Sequence, residues 1–291
     1  VSSAEDVNND GYCDIIAGAP YNDAGGADAG RAYVYYGGSV LDNTADVILT
    51  AAAPNDGFGY SVSKAEDVNG DGFSDIMVGA PYNDAGGADA GRTYVYFGES
   101  VPDNTADVII TGVAAGDNSG FSVSSAGDMN GDCYSEVIVG AYANDAGGSN
   151  AGRTYVYLNS MTGPDIADEY FTGATAGDLF GFSVSSIGDV NGDGFNDIII
   201  GALYNDANGS NAGRAYIFFG GNITNNTADI ILSGTNPDDL FGISVSSAGD
   251  VNGDGFSDVI VGANGNDVFV TADNAGRAYI FLGGSTMDTA A

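Results

Sequence analysis

A nine-residue acidic segment recurs five times along this chain at one fixed spacing. It begins at residues 6, 67, 128, 189 and 250, so each copy starts 61 residues after the one before. The five copies read DVNNDGYCD, DVNGDGFSD, DMNGDCYSE, DVNGDGFND and DVNGDGFSD. A fixed period of this length indicates one supersecondary unit repeated within a single domain. We therefore treat residues 1–291 as one domain with repeats at about 1–57, 58–118, 119–179, 180–240 and 241–291.

Each repeat contains four strand-like runs. In the second repeat they are residues 60–65, 76–80, 93–97 and 107–111, rich in Val, Ile, Tyr and Phe and bounded by Gly, Asn or Asp. None of the runs shows the 3.6-residue periodicity of an amphipathic helix. Because four strands repeated radially make the blades of a propeller, the sequence predicts an all-β fold, a β-propeller of five four-stranded blades.

The fifth repeat lacks a counterpart of the fourth strand, which residues 229–232 supply in the fourth repeat. The first repeat is short at its start, because Val1 aligns with Val62. We expect a strand from outside residues 1–291 to complete the last blade, supplied either upstream in the same polypeptide or by another chain. An open strand edge is also a template for self-assembly.

The charge of the chain restricts its partners. Asp and Glu number 40 against 6 Lys and Arg, a formal net charge of −34, which repels nucleic-acid phosphates and anionic lipids. A hydrophobic content of 44% argues against a disordered acidic tail. The lack of a run of about 18 apolar residues argues against membrane insertion. Cations are the expected partners.

The acidic segment predicts a metal site made of oxygen ligands. With no His and two Cys in the chain, His-based catalysis and ordinary zinc sites are excluded. Oxygen side chains recur at positions one, three, five and nine, the position-seven carbonyl is a natural further ligand, and Gly at position six permits a tight turn. This set of oxygen ligands favours calcium, and we expect up to five calcium ions per chain. The predicted ligands are Asp6, Asn8, Asp10, Tyr12, Asp14, Asp67, Asn69, Asp71, Phe73, Asp75, Asp128, Asn130, Asp132, Tyr134, Glu136, Asp189, Asn191, Asp193, Phe195, Asp197, Asp250, Asn252, Asp254, Phe256 and Asp258.

Two alternatives compete with this assignment. An EF-hand needs a bidentate Glu at position twelve, where these segments have Ala or an aliphatic residue such as Val78. A set of Asx turns without metal is the other interpretation, but three acids in one short loop repel one another without a cation. The third copy departs from the pattern, with Cys133 replacing the turn Gly and Glu136 replacing the ninth Asp. We expect its site to be the weakest.

Four segments of the second repeat, FGYSV, DVNGDGFSD, VGAPYND and GRTYVYFG, together resemble the FG-GAP repeats of the alpha-integrin propeller and its bacterial and archaeal relatives. The resemblance covers nearly the whole chain, although Ser119 replaces the Phe in the third repeat and the Gly-Ala-Pro triplet is intact only at residues 18–20 and 79–81. It implies a propeller with calcium in hairpin loops, used outside the cell for adhesion or ligand binding. Integrin-type propellers usually have more than five blades, so five is a departure.

Several other residues have structural interpretations. We expect each Arg that precedes a Tyr-containing strand to pair with an acid of the YND loop in its own repeat. These pairs are Arg31 with Asp23, Arg92 with Asp84, Arg153 with Asp145, Arg214 with Asp206 and Arg277 with Asp267. Cys13 and Cys133 lie two blades apart and are expected as reduced thiols. Glycosylation sequons begin at Asn208, Asn222 and Asn225.

The leading functional hypothesis is a calcium-stabilised, secreted adhesion or assembly module that binds a protein or cell-surface ligand. The second is a calcium-dependent lectin, in which Asn, Asp and Tyr between blades contact sugar. The third is a glycan-cleaving enzyme, which would need a pair of catalytic carboxylates. The repeat already explains nearly every regularly placed acid, which argues against this hypothesis. No catalytic residue and no cofactor other than calcium is predicted.

Overall fold

Each repeat of the sequence forms one antiparallel sheet. The structure is a computed structural model, and it describes residues 1–40, 42–51, 53–101, 103–158, 167–221, 226–266, 275–287 and 289. All the regular elements in these ranges are β-strands. The all-β fold class is therefore confirmed, and the five sheets are the predicted propeller blades.

The strands follow one another in the same way in every repeat. The first sheet has β1 (Ser2–Glu5), β2 (Asp14–Ala19), β3 (Arg31–Tyr35) and β4 (Val47–Thr50), and the second has β5 (Ser61–Glu66), β6 (Asp75–Ala80), β7 (Arg92–Tyr96) and β8 (Val108–Thr111). The third has β9 (Ser122–Gly127), β10 (Glu136–Ala141), β11 (Arg153–Tyr157) and β12 (Glu169–Thr172). The fourth has β13 (Ser183–Gly188), β14 (Asp197–Ala202), β15 (Arg214–Phe218) and β16 (Ile230–Ser233). The fifth has β17 (Phe241–Gly249), β18 (Asp258–Ala263) and β19 (Arg277–Phe281).

Strand order within each sheet equals sequence order, as in a meander. The fifth sheet has three strands in the described part of the chain. That a strand from outside residues 1–291 completes it stays a prediction.

The second strand is fully buried in the second and fourth sheets. In β6 and β14 every residue is buried, because both faces of these strands are covered. Apolar side chains of neighbouring repeats share a core. Ile16 and Phe58 belong to one such cluster, which joins the first two repeats, and Ile199 and Phe241 belong to another, which joins the last two.

The Phe-Gly and Ala-Gly-Arg motifs meet where one repeat passes into the next. Gly30 forms a parallel bridge with Phe58, and Gly213 forms the same bridge with Phe241. A Cβ on Gly213 would lie 2.2 Å from the Phe241 carbonyl oxygen, so only Gly allows this approach. The two motifs are therefore two halves of one contact between successive repeats.

The chain divides into two compact units. One contains residues 1–125, 133–139 and 156–168, and the other contains residues 126–132, 140–155 and 169–291. The assignment of one domain to the whole chain stays a prediction. In the described residues, no helix has the length and apolar character needed to cross a membrane.

Candidate metal centres

The acidic segments connect the first and second strands of each sheet. In the second repeat β5 ends at Glu66, Asp67 follows at position one of the loop, and Asp75 at position nine begins β6. The strand pairing is irregular just before the loop, between Lys64 and Glu66. Glu66 itself has a φ of 61°, so the chain turns sharply into the acidic loop.

The first-position carboxylate organises the loop backbone. Asp67 Oδ1 accepts hydrogen bonds from the N–H groups of Gly70 at 2.7 Å and Asp71 at 3.1 Å. Its Oδ2 accepts one from the N–H of Gly72 at 3.0 Å. Asp189 and Asp250 make the same three contacts in their loops. Several N–H donors thus hold this side chain in one orientation.

The third and fifth positions turn toward the same part of the loop. Asn69 Oδ1 accepts from the Asp71 N–H at 2.9 Å, and Asn69 Nδ2 donates to Asp71 Oδ2 at 2.8 Å. Asp71 Oδ1 accepts from the Phe73 N–H at 3.0 Å. The Asn-to-Asp side-chain contact recurs in all five loops. The loops are Asx turns, as the alternative interpretation required, and in each turn the predicted ligands at positions three and five are in contact.

The ninth-position acid is buried and ties the loop to the third strand. Asp75 is 0% exposed. Its Oδ2 accepts from the Val68 N–H at 2.9 Å, and its Oδ1 accepts from the Gly98 N–H at 2.8 Å. Asp14, Asp197 and Asp258 make the matching pairs of contacts. This position therefore has a structural role that the sequence analysis, which treated it only as a ligand, did not predict.

Protonation differs between the exposed and buried acids of the loops. Burial raises the pKa of Asp75 to about 7, and repulsion from Asp71 and Asp67 adds to this effect. Burial also raises the pKa of Asp197 to about 7. By contrast, backbone N–H groups, that of Gly255 first, lower the pKa of Asp250. The second and fourth loops thus each hold a buried ninth acid whose negative charge is poorly compensated.

The third loop keeps the backbone contacts of the first-position acid. Asp128 Oδ1 accepts hydrogen bonds from the N–H groups of Gly131 at 2.6 Å and Asp132 at 3.2 Å. Cys133 takes the turn position with a φ of 71°, where the other loops have Gly. Whether this site is the weakest of the five stays a prediction.

The residues present fit a hard divalent cation. The donors are all oxygens, and calcium prefers six to eight oxygen ligands in a flexible arrangement. A cation would compensate the buried charge of the ninth acid. The side chains at positions one, three and five would hold it. That the backbone carbonyl at position seven is a further ligand stays a prediction.

The predicted pairs between Arg and the YND acids are wrong for the pairs that the structure describes. Arg92 Nε donates to Thr111 Oγ1 at 3.1 Å, because these residues face each other in the pairing of β7 with β8. Arg31, Arg153 and Arg214 bind Thr50, Thr172 and Ser233 in the same way. Asp84 instead accepts from the Asp89 N–H at 2.9 Å. Asp267 lies outside the described residues. The structural role predicted for the Arg side chains holds, with a different partner.

The structure adds a buried polar pair that the sequence analysis missed. Asn83 Nδ2 donates to Asp56 Oδ2 at 2.8 Å, with both residues buried, and burial raises the pKa of Asp56. Asn205 with Asp178 and Asn266 with Asp239 repeat this pair. The only signal for it was an Asp two residues before each Phe-Gly or Ser-Gly pair.

A cavity of about 230 Å³ lies within the second unit. Its lining includes the aromatic side chains of Phe180, Tyr216 and Phe218 and the polar side chains of Asp178 and Asn226. Rings and hydrogen-bonding groups thus face the same space.

The remaining sequence predictions concern the two cysteines and the glycosylation sequons. Cys13 and Cys133 are exposed and form no disulfide, as predicted. Asn208 Nδ2 donates to the Gly234 carbonyl at 2.9 Å. The sequon residues Asn222 and Asn225 lie outside the described residues.

Comparison with known proteins places these repeats in a family. The FG-GAP repeat profile matches residues 1–35, 58–96, 119–157, 180–218 and 241–281. Integrin alpha-5 of Xenopus laevis is 32% identical over 168 residues, covering 54% of this chain and 16% of that protein. Integrin alpha-PS5 of Drosophila melanogaster is 35% identical over 156 residues, covering 50% of this chain and 15% of that protein. Human integrin alpha-6 is 33% identical over 138 residues, covering 47% of this chain and 12% of that protein.

These alignments span less than a fifth of each integrin alpha chain. The family profile, in contrast, matches every repeat and more than half of this chain. The resemblance found in the sequence is thereby confirmed, and the chain belongs to the FG-GAP repeat family.

Proposed function

We propose that this chain is a calcium-binding extracellular module that mediates adhesion to a protein or cell-surface ligand. The observation that carries the proposal is the repeated loop, in which the Asp, Asn and Asp of positions one, three and five take one arrangement next to a buried ninth acid. The similarity to integrin alpha chains supports a role in adhesion.

Calcium has a structural role in this proposal. The ion relieves the repulsion among the loop acids and fixes the hairpin between the first and second strands. At 100 times its dissociation constant, one ion bound only to the folded state stabilises it by about 2.7 kcal/mol. The repeats together then form a rigid scaffold that presents variable loops to a ligand.

The calcium part of the proposal is tested by titration of the chelator-treated protein. We expect up to five calcium ions per chain by calorimetry and a higher melting temperature in millimolar calcium than in EDTA. Equal melting temperatures in the two conditions would refute it. Asp71→Asn should remove or weaken one site, while Asp89→Asn, at an exposed acid outside the acidic loops, should leave all sites intact.

The adhesion part needs its own experiment. Beads coated with the chain should adhere to cells in calcium and detach in EDTA, and protease treatment of the cells should abolish adhesion if the ligand is a protein. Adhesion that is equal with and without calcium would contradict this part of the proposal.

The lectin alternative is favoured by the cavity of about 230 Å³ beside Phe180 and Tyr216, because aromatic rings and hydrogen-bonding groups together suit a sugar ring. A glycan array in calcium tests it. Glycan binding that is lost in Tyr216→Ala would support a lectin. If no glycan on the array binds, the proposal of a protein ligand is retained.

A further inference from the structure

An aromatic ring from each of the last three acidic loops lies over the acidic loop of the preceding repeat. The ring belongs to position seven, and the residue beneath it is the Gly at position four. A Cβ placed on Gly192 would lie 2.5 Å from Cε1 of Phe256, so the ring packs directly on the loop backbone. Phe195 covers Gly131 in the same way, with a corresponding distance of 2.8 Å, and Tyr134 covers Gly70.

Backbone hydrogen bonds join the same pair of loops. The Ser257 N–H, next to Phe256, donates to the carbonyl of Asp189 at 3.0 Å. The Gly284 N–H donates to the carbonyl of Val190 at 2.8 Å. The backbone carbonyls at positions one and two of the fourth loop thus accept hydrogen bonds from the fifth repeat. In the chain, Gly192 lies between these two residues and Asp193.

We propose that Phe256 is a positioning residue for the cation site of the fourth loop, and that Tyr134 and Phe195 have this role for the second and third loops, respectively. The inference rests on the proposed calcium function. Each ring restricts the backbone at position four, whose N–H binds the first-position carboxylate, as the Gly192 N–H does to Asp189 Oδ1 at 2.6 Å. Calcium affinity of one repeat therefore depends on a side chain of the next repeat.

The fifth loop provides a natural comparison within the chain. Gly253 is at position four there, with a φ of 77° against 81° for Gly192. Among the described residues other than its own chain neighbours, no atom lies within 4 Å of a Cβ on Gly253, so no ring in this part of the chain covers it. The two glycines have the same backbone conformation and differ in the ring above them.

This comparison gives a matched pair of substitutions. Gly192→Ala and Gly253→Ala cost the same in backbone conformation, but only the first forces the methyl group against Phe256. We expect Gly192→Ala to weaken one calcium site and to lower the melting temperature more than Gly253→Ala does. Adding Phe256→Ala to Gly192→Ala should restore part of that loss, since the ring no longer collides with the methyl group.

The direct test is calcium calorimetry on Phe256→Ala, with circular dichroism to show that the variant folds. We expect one site to bind about 10- to 100-fold more weakly, the usual effect of losing a residue that orients metal ligands. The effect should vanish when Asp193→Ala has already removed the fourth site. A ring that only fills space would instead lower the melting temperature equally in EDTA and in calcium, with every dissociation constant unchanged, and that result would overturn the proposal.

Failure of the proposed function is distinguishable from failure of this inference. If the unmodified chain binds no calcium, the proposed function fails. If it binds calcium and Phe256→Ala binds it equally well at every site, only the positioning role fails. Tyr21→Ala is the control, because this aromatic side chain lies outside the acidic loops and is 71% exposed, so its loss should leave the calcium titration unchanged.

Discussion

Asp75 accepts a hydrogen bond from the Gly98 N–H at 2.8 Å, which connects the acidic loop to the end of β7, 23 residues further along the chain. The second oxygen of Asp75 accepts from the Val68 N–H. One buried carboxylate thus joins both ends of the hairpin loop to the third strand. The acidic loop is part of the blade, so a cation bound there would act directly on the sheet.

Asp75→Ala should destabilise the protein even when calcium is absent. The change leaves two backbone N–H groups without acceptors, at a cost of about 3 kcal/mol in the free energy of unfolding. Urea unfolding in EDTA measures this cost. Glu99→Ala, at an exposed acid outside the acidic loops, should change the free energy by less than about 0.5 kcal/mol. Equal losses in the two variants would show that the buried contacts contribute little.

Without calcium, stability should fall as pH rises. The folded state raises the pKa of Asp75 and Asp197 to about 7 from 3.8 in the unfolded chain, so folding favours their protonated forms. Their contribution is full below pH 3.8 and is lost as pH rises toward and through 7. Melting temperatures measured in EDTA from about pH 5 to about pH 8 should therefore decrease.

Calcium should flatten this pH profile, because a bound cation favours the ionised carboxylates. Asp75→Asn combined with Asp197→Asn should flatten the EDTA profile as well, since neither side chain then titrates. An unchanged slope in that double variant would assign the pH dependence to the overall charge of −34 instead.

The acidic loop was predictable because its information is local. Asp67, Asn69 and Asp71 bind backbone groups within five residues of themselves, so spacing alone determines most of the geometry. The strands were predictable for the same reason, since alternation and flanking turn residues are short-range signals. The ninth acid was found as part of the motif, but its binding to Gly98 required the packed sheet.

The errors concern contacts that depend on strand register. Arg92 was paired with Asp84 because the two are near in sequence, whereas the register of β7 and β8 places Arg92 opposite Thr111. The Asn83 contact with Asp56 differs in kind, because it joins two loop residues that are 27 positions apart, and no local pattern indicates it. A contact set by register depends on which residues of two paired strands lie opposite each other, and the sequence of one repeat does not reveal this pairing.

The hydrogen bond between Arg92 and Thr111 should stabilise the outer strand of the second blade. Thr111→Val removes the acceptor and keeps the shape, so we expect a loss of about 1 kcal/mol in the free energy of unfolding. A double-mutant cycle with Arg92→Lys should show coupling, because each change removes the same bond. Additive losses from the two changes would contradict the contact.

The third acidic loop should contribute least to calcium-dependent stability. Asp132→Ala is expected to lower the calcium-induced rise in melting temperature less than Asp193→Ala, because the third loop has Cys133 in place of its turn Gly. Thermal unfolding of both variants with and without calcium gives the comparison. A larger loss in Asp132→Ala would indicate that the third loop forms a stronger site than the regular loops.

Cys133→Gly should stabilise the third repeat. Cys133 has a φ of 71°, in the left-handed region that costs residues with a Cβ about 1 kcal/mol relative to Gly. At the equivalent Gly194, with a φ of 91°, a Cβ would meet no atom of the described residues within 4 Å apart from its chain neighbours, so the expected penalty for a Cβ is one of backbone conformation. Gly194→Cys should therefore lower the free energy of unfolding by about as much as Cys133→Gly raises it. Both are measured by urea unfolding under reducing conditions in EDTA, where calcium binding makes no contribution. If Cys133→Gly is neutral or destabilising while Gly194→Cys is destabilising, then the Cys133 side chain makes a compensating contact, and strain at position six is not the reason for a weak third loop.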